Sequence, residues 1–142
     1  MPQEIDMFSQ IFTVKSSTSM EMVDITDTVE DLVTRAKIDH GYCSLFNPHT
    51  TAGLTVNEGA DPAVQRDIIS ALRQIVPMNM DYRHAEGNSP AHVMATLTGC
   101  SLSLLVSDGR LTLGTWQRVF FCEFDGPRTR KVHLRLHALP LP

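Results

Sequence analysis

The sequence is short of most features that announce a specialised class of protein, and each shortage excludes something. Cysteine is sparse: Cys43, Cys100 and Cys122 are widely spaced, odd in number and form no C-x-x-C pair, so neither a zinc ribbon nor a thioredoxin-type motif is present. All three lie in apolar, strand-like surroundings, where a buried, reduced thiol acting as a small hydrophobe is expected. No apolar run reaches membrane-spanning length, and the opening Met1-Pro-Gln-Glu-Ile-Asp6 lacks the basic and apolar regions of a signal peptide. A cytoplasmic protein with no membrane partner is the expectation. Excess charge is small, −4 from twelve Lys and Arg against sixteen Asp and Glu, with the basic residues dispersed except near the C-terminus. That balance argues against a nucleic-acid partner. There is no P-loop, no G-x-G-x-x-G and no H-E-x-x-H. Without G-x-S-x-G the nucleophile elbow of the α/β-hydrolases is excluded as well.

What remains is an ordinary globular composition. An apolar content of 42% with 20% charged residues over 142 positions suffices for one hydrophobic core, and residues 1–142 read as a single domain without linker, repeat or low-complexity tract. Period-two runs alternate with helical ones. Met7 to Lys15 predicts a first strand and Met20 to Ile25 its hairpin partner. Thr26-Asp27 opens a helix, with Asp27 and Glu30 in capping-box spacing and Val29, Leu32, Val33 and Ala36 on one stripe. Tyr42 to Phe46 and Leu54 to Asn57 read as short strands, the first ended by Asn47-Pro48. Asp61-Pro62 and Ser89-Pro90 are helix starts, the first helix running to Pro77 and the second through Leu97 to Gly99. The remainder is strand: Leu102 to Val106, the turn Asp108-Gly109, Leu111 to Leu113, Val119 to Phe124 and Val132 to Ala138. About three helices that do not alternate regularly with strands predict an α+β fold with largely antiparallel or mixed sheets.

The chemistry concentrates in two polar runs. His84-Ala-Glu-Gly-Asn-Ser-Pro-Ala-His92 sets a histidine on each side of a glycine-bearing turn, and His49 opens His49-Thr-Thr-Ala-Gly-Leu-Thr-Val-Asn-Glu58. Neutral imidazole is a common zinc ligand, and three protein ligands with one open position describe a catalytic metal site. His92 falls in the first turn of a helix, whose positive end keeps the ring neutral. The plainer alternative is loop histidines that bond backbone groups. His40 suits a helix C-terminus, and His133 and His137 share the polar face of the last strand with Arg135. Glu58 could orient a water or act as a base, and Asp81 is a further candidate ligand. Glu123 lies in an otherwise apolar strand and needs a partner, for which Arg128 is the candidate, in a run whose basic residues also suit phosphate. Gly114-Thr-Trp-Gln117 carries the only tryptophan, either core or the wall of a small-molecule pocket.

These blocks together resemble the YjbQ-like family, whose members are described as secondary thiamine-phosphate synthases. The resemblance rests on His49 to Glu58 with Asp61-Pro62, on the His84 to His92 segment, and on Leu113-Gly-Thr-Trp-Gln117 with Glu123 and Gly126-Pro-Arg128, and it covers nearly the whole chain. It implies a compact α+β fold, a homotrimer, and a divalent metal, zinc foremost, held by His49, His84 and His92. It implies that hydroxymethylpyrimidine diphosphate is joined to a thiazole phosphate with release of diphosphate. On that expectation Asn57, Trp116, Gln117 and Arg128 bind the phosphorylated substrate, while Glu58 and Arg128 are catalytic. Its rival is a trimer that binds a metal or small anion without catalysis, and the plainest reading is histidines that only stabilise subunit contacts.

Overall fold

Alternating apolar and polar residues build most of the β structure, seen here in a computed structural model that describes residues 7–140. The elements in chain order are β1 (Met7–Lys15), β2 (Glu21–Asp24), α1 (Thr26–Ala36), β3 (Gly41–Phe46), β4 (Ala52–Glu58), α2 (Pro62–Ile75), α3 (Ser89–Thr98), β5 (Ser101–Ser107), β6 (Arg110–Leu111), β7 (Gln117–Glu123) and β8 (Thr129–Ala138). A larger sheet has the order β1-β8-β3-β5-β6 and a smaller one the order β2-β7-β4, every pairing antiparallel. The expected α+β class is therefore borne out.

The smaller sheet forms the middle layer. In its central strand, β7, every residue from Val119 to Glu123 is buried, as a strand covered on both faces must be, and Phe124 just after it is buried too. On one side Val119, Phe121 and Leu54 meet α1 (Val29, Leu32, Val33) and the inner face of the larger sheet. On the other side Phe120, Cys122 and Phe124 meet α3 (Ala91, Met94) and the apolar stripe of α2. Both later helices start as the sequence predicts: Asp61 Oδ1 accepts from the Ala63 N–H at 2.9 Å ahead of Pro62, and Pro90 sits in the first turn of α3. Asp108 (φ 54°) and Gly109 (φ 74°) both take the left-handed conformation that a two-residue hairpin turn requires. Among the described residues no helix is long and apolar enough to cross a membrane.

Four local expectations fail. The β1–β2 hairpin does not form: β1 pairs with β8 in the larger sheet, while β2 pairs with β7 in the smaller one. The capping box of α1 is not made, because Asp27 is drawn to Arg118 and Glu30 accepts from the Leu111 N–H. The strand expected over Leu111 to Leu113 is only the two residues Arg110 and Leu111. Cys43 and Cys122 are buried, with burial raising both thiols to about 12, but Cys100 is exposed.

Candidate functional site

Three loops meet at the end of the sandwich where β3, β4 and β8 adjoin. The β3–β4 loop is fixed by Asn47, a buried side chain that donates to Ala52 O at 2.8 Å and accepts from the His49 N–H at 2.9 Å. That turn presents His49 to β8, where its Nε2 accepts the Lys131 N–H at 2.8 Å. An imidazole that accepts at Nε2 is neutral and carries its proton on Nδ1. Partial burial, and then the neighbouring positive charge of Arg130, push the pKa of His49 below its ordinary value.

The second loop leads from α2 into α3. It places His84 beside His92, the ring centroids 5.3 Å apart and nearly perpendicular. The third joins β7 to β8. Arg128 is anchored there by Asp125, Nε to the carbonyl oxygen at 2.7 Å and Nη2 to Oδ2 at 2.9 Å, while Asn88 donates to the same Oδ2 at 2.9 Å. With about half of its side chain exposed, Arg128 keeps further N–H groups for a ligand. His49, His84, His92, Arg128 and Arg130 all line one cleft of about 390 Å³, together with Thr50 and Thr51.

A buried ion pair supports this floor. Glu123 is fully buried and Arg130 is 5% exposed. Arg130 grips the carboxylate through Nε and Nη2 and reaches Thr51 Oγ1 at 2.9 Å, while Ser16 Oγ donates to Glu123 at 2.7 Å. Burial alone would raise the Glu123 carboxyl, but its bonds from Arg130, Ser16 and the Asp125 N–H outweigh that and hold it below the usual carboxylate range. The partner of Glu123 is thus Arg130, not Arg128. The alternation of β8 is the signal for this, since it puts Arg130 on the same inward face as Val132, Leu134 and Leu136. Asn88 and Asp125 carry no comparable signal in the sequence; the loops alone bring them to the cleft.

The other expected site residues lie elsewhere. Ala52 stands opposite Glu123 at the cleft, whereas Glu58 stands opposite Gln117 at the far end of the same pairing. Six residues of strand separate the two ends by about 20 Å. Asn57, Glu58, Gln117 and the exposed Trp116 therefore do not reach the cleft of their own chain. Gln117 instead borders a hollow with Asp27, Glu30 and Arg118. Asp81 is exposed in the loop before His84. The three histidines do not make the expected zinc ligand set either: among the described residues no group of three or more His, Cys, Asp or Glu is disposed to hold a metal, and Nε2 of His49 is already engaged.

A family profile described as "UPF0047 protein YjbQ-like" matches residues 10–138. A UPF0047 protein of Methanocaldococcus jannaschii is 43% identical over 125 residues, covering 88% of this chain and 91% of its own length. UPF0047 protein YugU of Bacillus subtilis is 43% identical over 124 residues, 87% of this chain and 94% of that protein. Among solved structures, an uncharacterised YjbQ/UPF0047 protein of Clostridium acetobutylicum shares 45% identity with a TM-score of 0.87 over 89% of this chain and 98% of that one. A protein of unknown function from Sulfolobus solfataricus shares 30% identity with a TM-score of 0.91 over 96% and 100%. These findings overturn the expected function. The matching proteins carry only the family designation or are called uncharacterised, and nothing in them supports a metal-dependent thiamine-phosphate synthase.

Proposed function

This chain belongs to the UPF0047 YjbQ-like family, and we propose that its three-loop cleft binds a small phosphorylated molecule and exchanges protons with it. The observation that carries the reading is the convergence of His49, His84, His92 and Arg128 on one cleft from three separate loops and the first turns of α3. Arg128 supplies a planar, permanently charged donor for a phosphate oxygen, with Asp125 fixing its direction. His49 offers Nδ1–H as a neutral donor, because Lys131 holds its other nitrogen. His84 and His92, with their rings side by side in the cleft, are the acid–base pair of this reading. Arg130 underneath, held by Glu123, orients Thr51, and burial together with the Arg130 charge keeps His49 neutral.

Inorganic diphosphate is the probe, titrated calorimetrically into the wild type and into Arg128→Ala. Saturable binding by the wild type, weakened about tenfold or more in the variant, is expected from the loss of charge-assisted hydrogen bonds. Equal affinities would remove Arg128 from the account. Zinc retained through purification at one ion per chain, and lost in His92→Ala, would assign the histidines to a cation instead.

The same reading includes self-association. The side chains of Ile75, Met78, Met80, Val93 and Leu97, carried by α2, α3 and the loop between them, are exposed. They are the contact we assign to the homotrimer that the resemblance implies. Sedimentation equilibrium should give three times the 15.8 kDa chain mass, and a 15.8 kDa particle would end this part of the reading.

A further inference from the structure

The cleft adjoins a second, mostly apolar hollow of about 320 Å³, on the side of the smaller sheet that carries α3. Met20, Pro90, Ala91, Met94 and Phe124 supply its apolar wall, and none of them contributes to the cleft. Ala91, Met94 and Phe124 belong to the core, whereas Met20 is half-buried and held by Arg73, whose Nε donates to its sulfur at 3.2 Å. Methionine is unbranched and polarizable, so a wall of this kind adapts to the apolar group that meets it.

Two residues belong to both spaces, Asn88 and Asp125. Asn88 Nδ2 donates to Asp125 Oδ2 at 2.9 Å, and Arg128 Nη2 reaches the same oxygen at 2.9 Å from the cleft. A single carboxylate thus stands between the anion-binding guanidinium and the apolar hollow. Along the loop into α3, Glu86 borders the cleft, Gly87 the hollow and Asn88 both. Gly87 takes a φ of 75°, and a Cβ there would meet nothing within 4 Å, so the chain leaves room where the two spaces adjoin. The junction also holds an unmet acceptor: Asn88 Oδ1 is buried and accepts no hydrogen bond among the described residues. Asp125 fixes the orientation of that amide, since turning it over would set oxygen against oxygen. A buried acceptor left open is costly in the free protein, and a junction completed by a bound molecule accounts for it.

We infer that cleft and hollow form one site for a phosphate ester of a small apolar alcohol. Arg128 takes the phosphate, while Met20, Met94 and Phe124 take the apolar body. The assignment rests on the cleft as a phosphate site and adds that its ligand is an organic ester, not a bare inorganic anion. Space is sufficient, because a dry cavity of about 150 Å³ already holds a benzene ring.

Methyl phosphate and benzyl phosphate are the probes, titrated calorimetrically and followed by the methyl NMR signals of the methionines. Benzyl phosphate should bind about tenfold or more tightly than methyl phosphate, the least that burial of one ring supplies. It should shift the Met20 and Met94 signals and leave Met7 and Met22, which lie outside the hollow, in place. Met20→Gln, at a half-buried position, should cut the benzyl advantage about threefold or more and leave methyl phosphate unchanged. Equal affinities for the two esters, or unmoved Met20 and Met94 signals on saturation with benzyl phosphate, would overturn the inference and leave the cleft as a phosphate site. Absence of binding by both esters would overturn the two together.

Discussion

Replacing Arg130 by methionine removes one half of the buried pair under the cleft while nearly preserving side-chain length. Glu123 has no exposed surface, so its carboxylate is left without its strongest partner and without water. Breaking a buried pair from one side costs about 3–5 kcal/mol, a large part of the 5–15 kcal/mol that holds a domain folded. At about 2 cal/mol/K of unfolding entropy per residue over 142 residues, this lowers Tm by roughly 10–17 °C. The pH dependence should also change sign. In the wild type the folded pKa of Glu123 lies below the unfolded value near 4.5, so its contribution is complete above that pH and is lost as pH falls towards the folded pKa. In Arg130→Met the unpaired carboxylate is held above the unfolded value, so protonation relieves it and stability rises as pH falls through the new, higher pKa. Adding Glu123→Leu to Arg130→Met should restore much of the loss, because an apolar pair carries no desolvation penalty. Urea unfolding at several pH values reads all three effects. A loss under about 1 kcal/mol in Arg130→Met, with the acid limb of the wild type retained, would refute the reasoning.

Other perturbations test separate parts of the structure. A Cβ on Gly41 would lie 1.8 Å from the carbonyl oxygen of His137, so Gly41→Ala must push β3 from β8; a loss of several kcal/mol is expected in urea unfolding, and a near-neutral result would contradict this register. His49 should titrate below 6.5 by NMR because burial and Arg130 disfavour its cation, whereas an upward shift would remove it as a neutral donor. A thiol reagent should label Cys100 in the native protein and reach Cys43 and Cys122 only on unfolding; three fast-reacting thiols would contradict the packing of both core clusters.

Strands and helices are legible here because burial imposes periodicity directly on the residues. Val132, Leu134 and Leu136 define β8, and Asp61-Pro62 fixes the start of α2 with no tertiary information. Strand pairing is less legible. Nothing local to Met20–Ile25 reveals that β2 must serve as one flank of β7, a strand buried on both faces and needing a neighbour at each edge. Ser16 marks the divergence, its N–H and hydroxyl drawing the end of β1 to Arg128 and Glu123 while β2 departs for the other sheet. The site divides in the same way. His49, His84 and His92 stand at turns and at a helix start, where loops on a rigid frame converge. Glu58 is only nine residues from His49 in sequence, but β4 is extended and carries it to the opposite end of the smaller sheet. Assigning Arg128 to Glu123 was an error of face: inward alternation selects Arg130 and leaves Arg128 in the loop for a ligand.

The central claim is that the histidines of the three-loop cleft, and not the others, meet a phosphorylated ligand. Imidazole NMR signals of the six histidines, followed as inorganic diphosphate is added, test it most directly. The account predicts saturable shifts at His49, His84 and His92 with one common dissociation constant, while His40, His133 and His137 stay in place. Shifts confined to His133 and His137, or no saturable shift at any of the six, would contradict it.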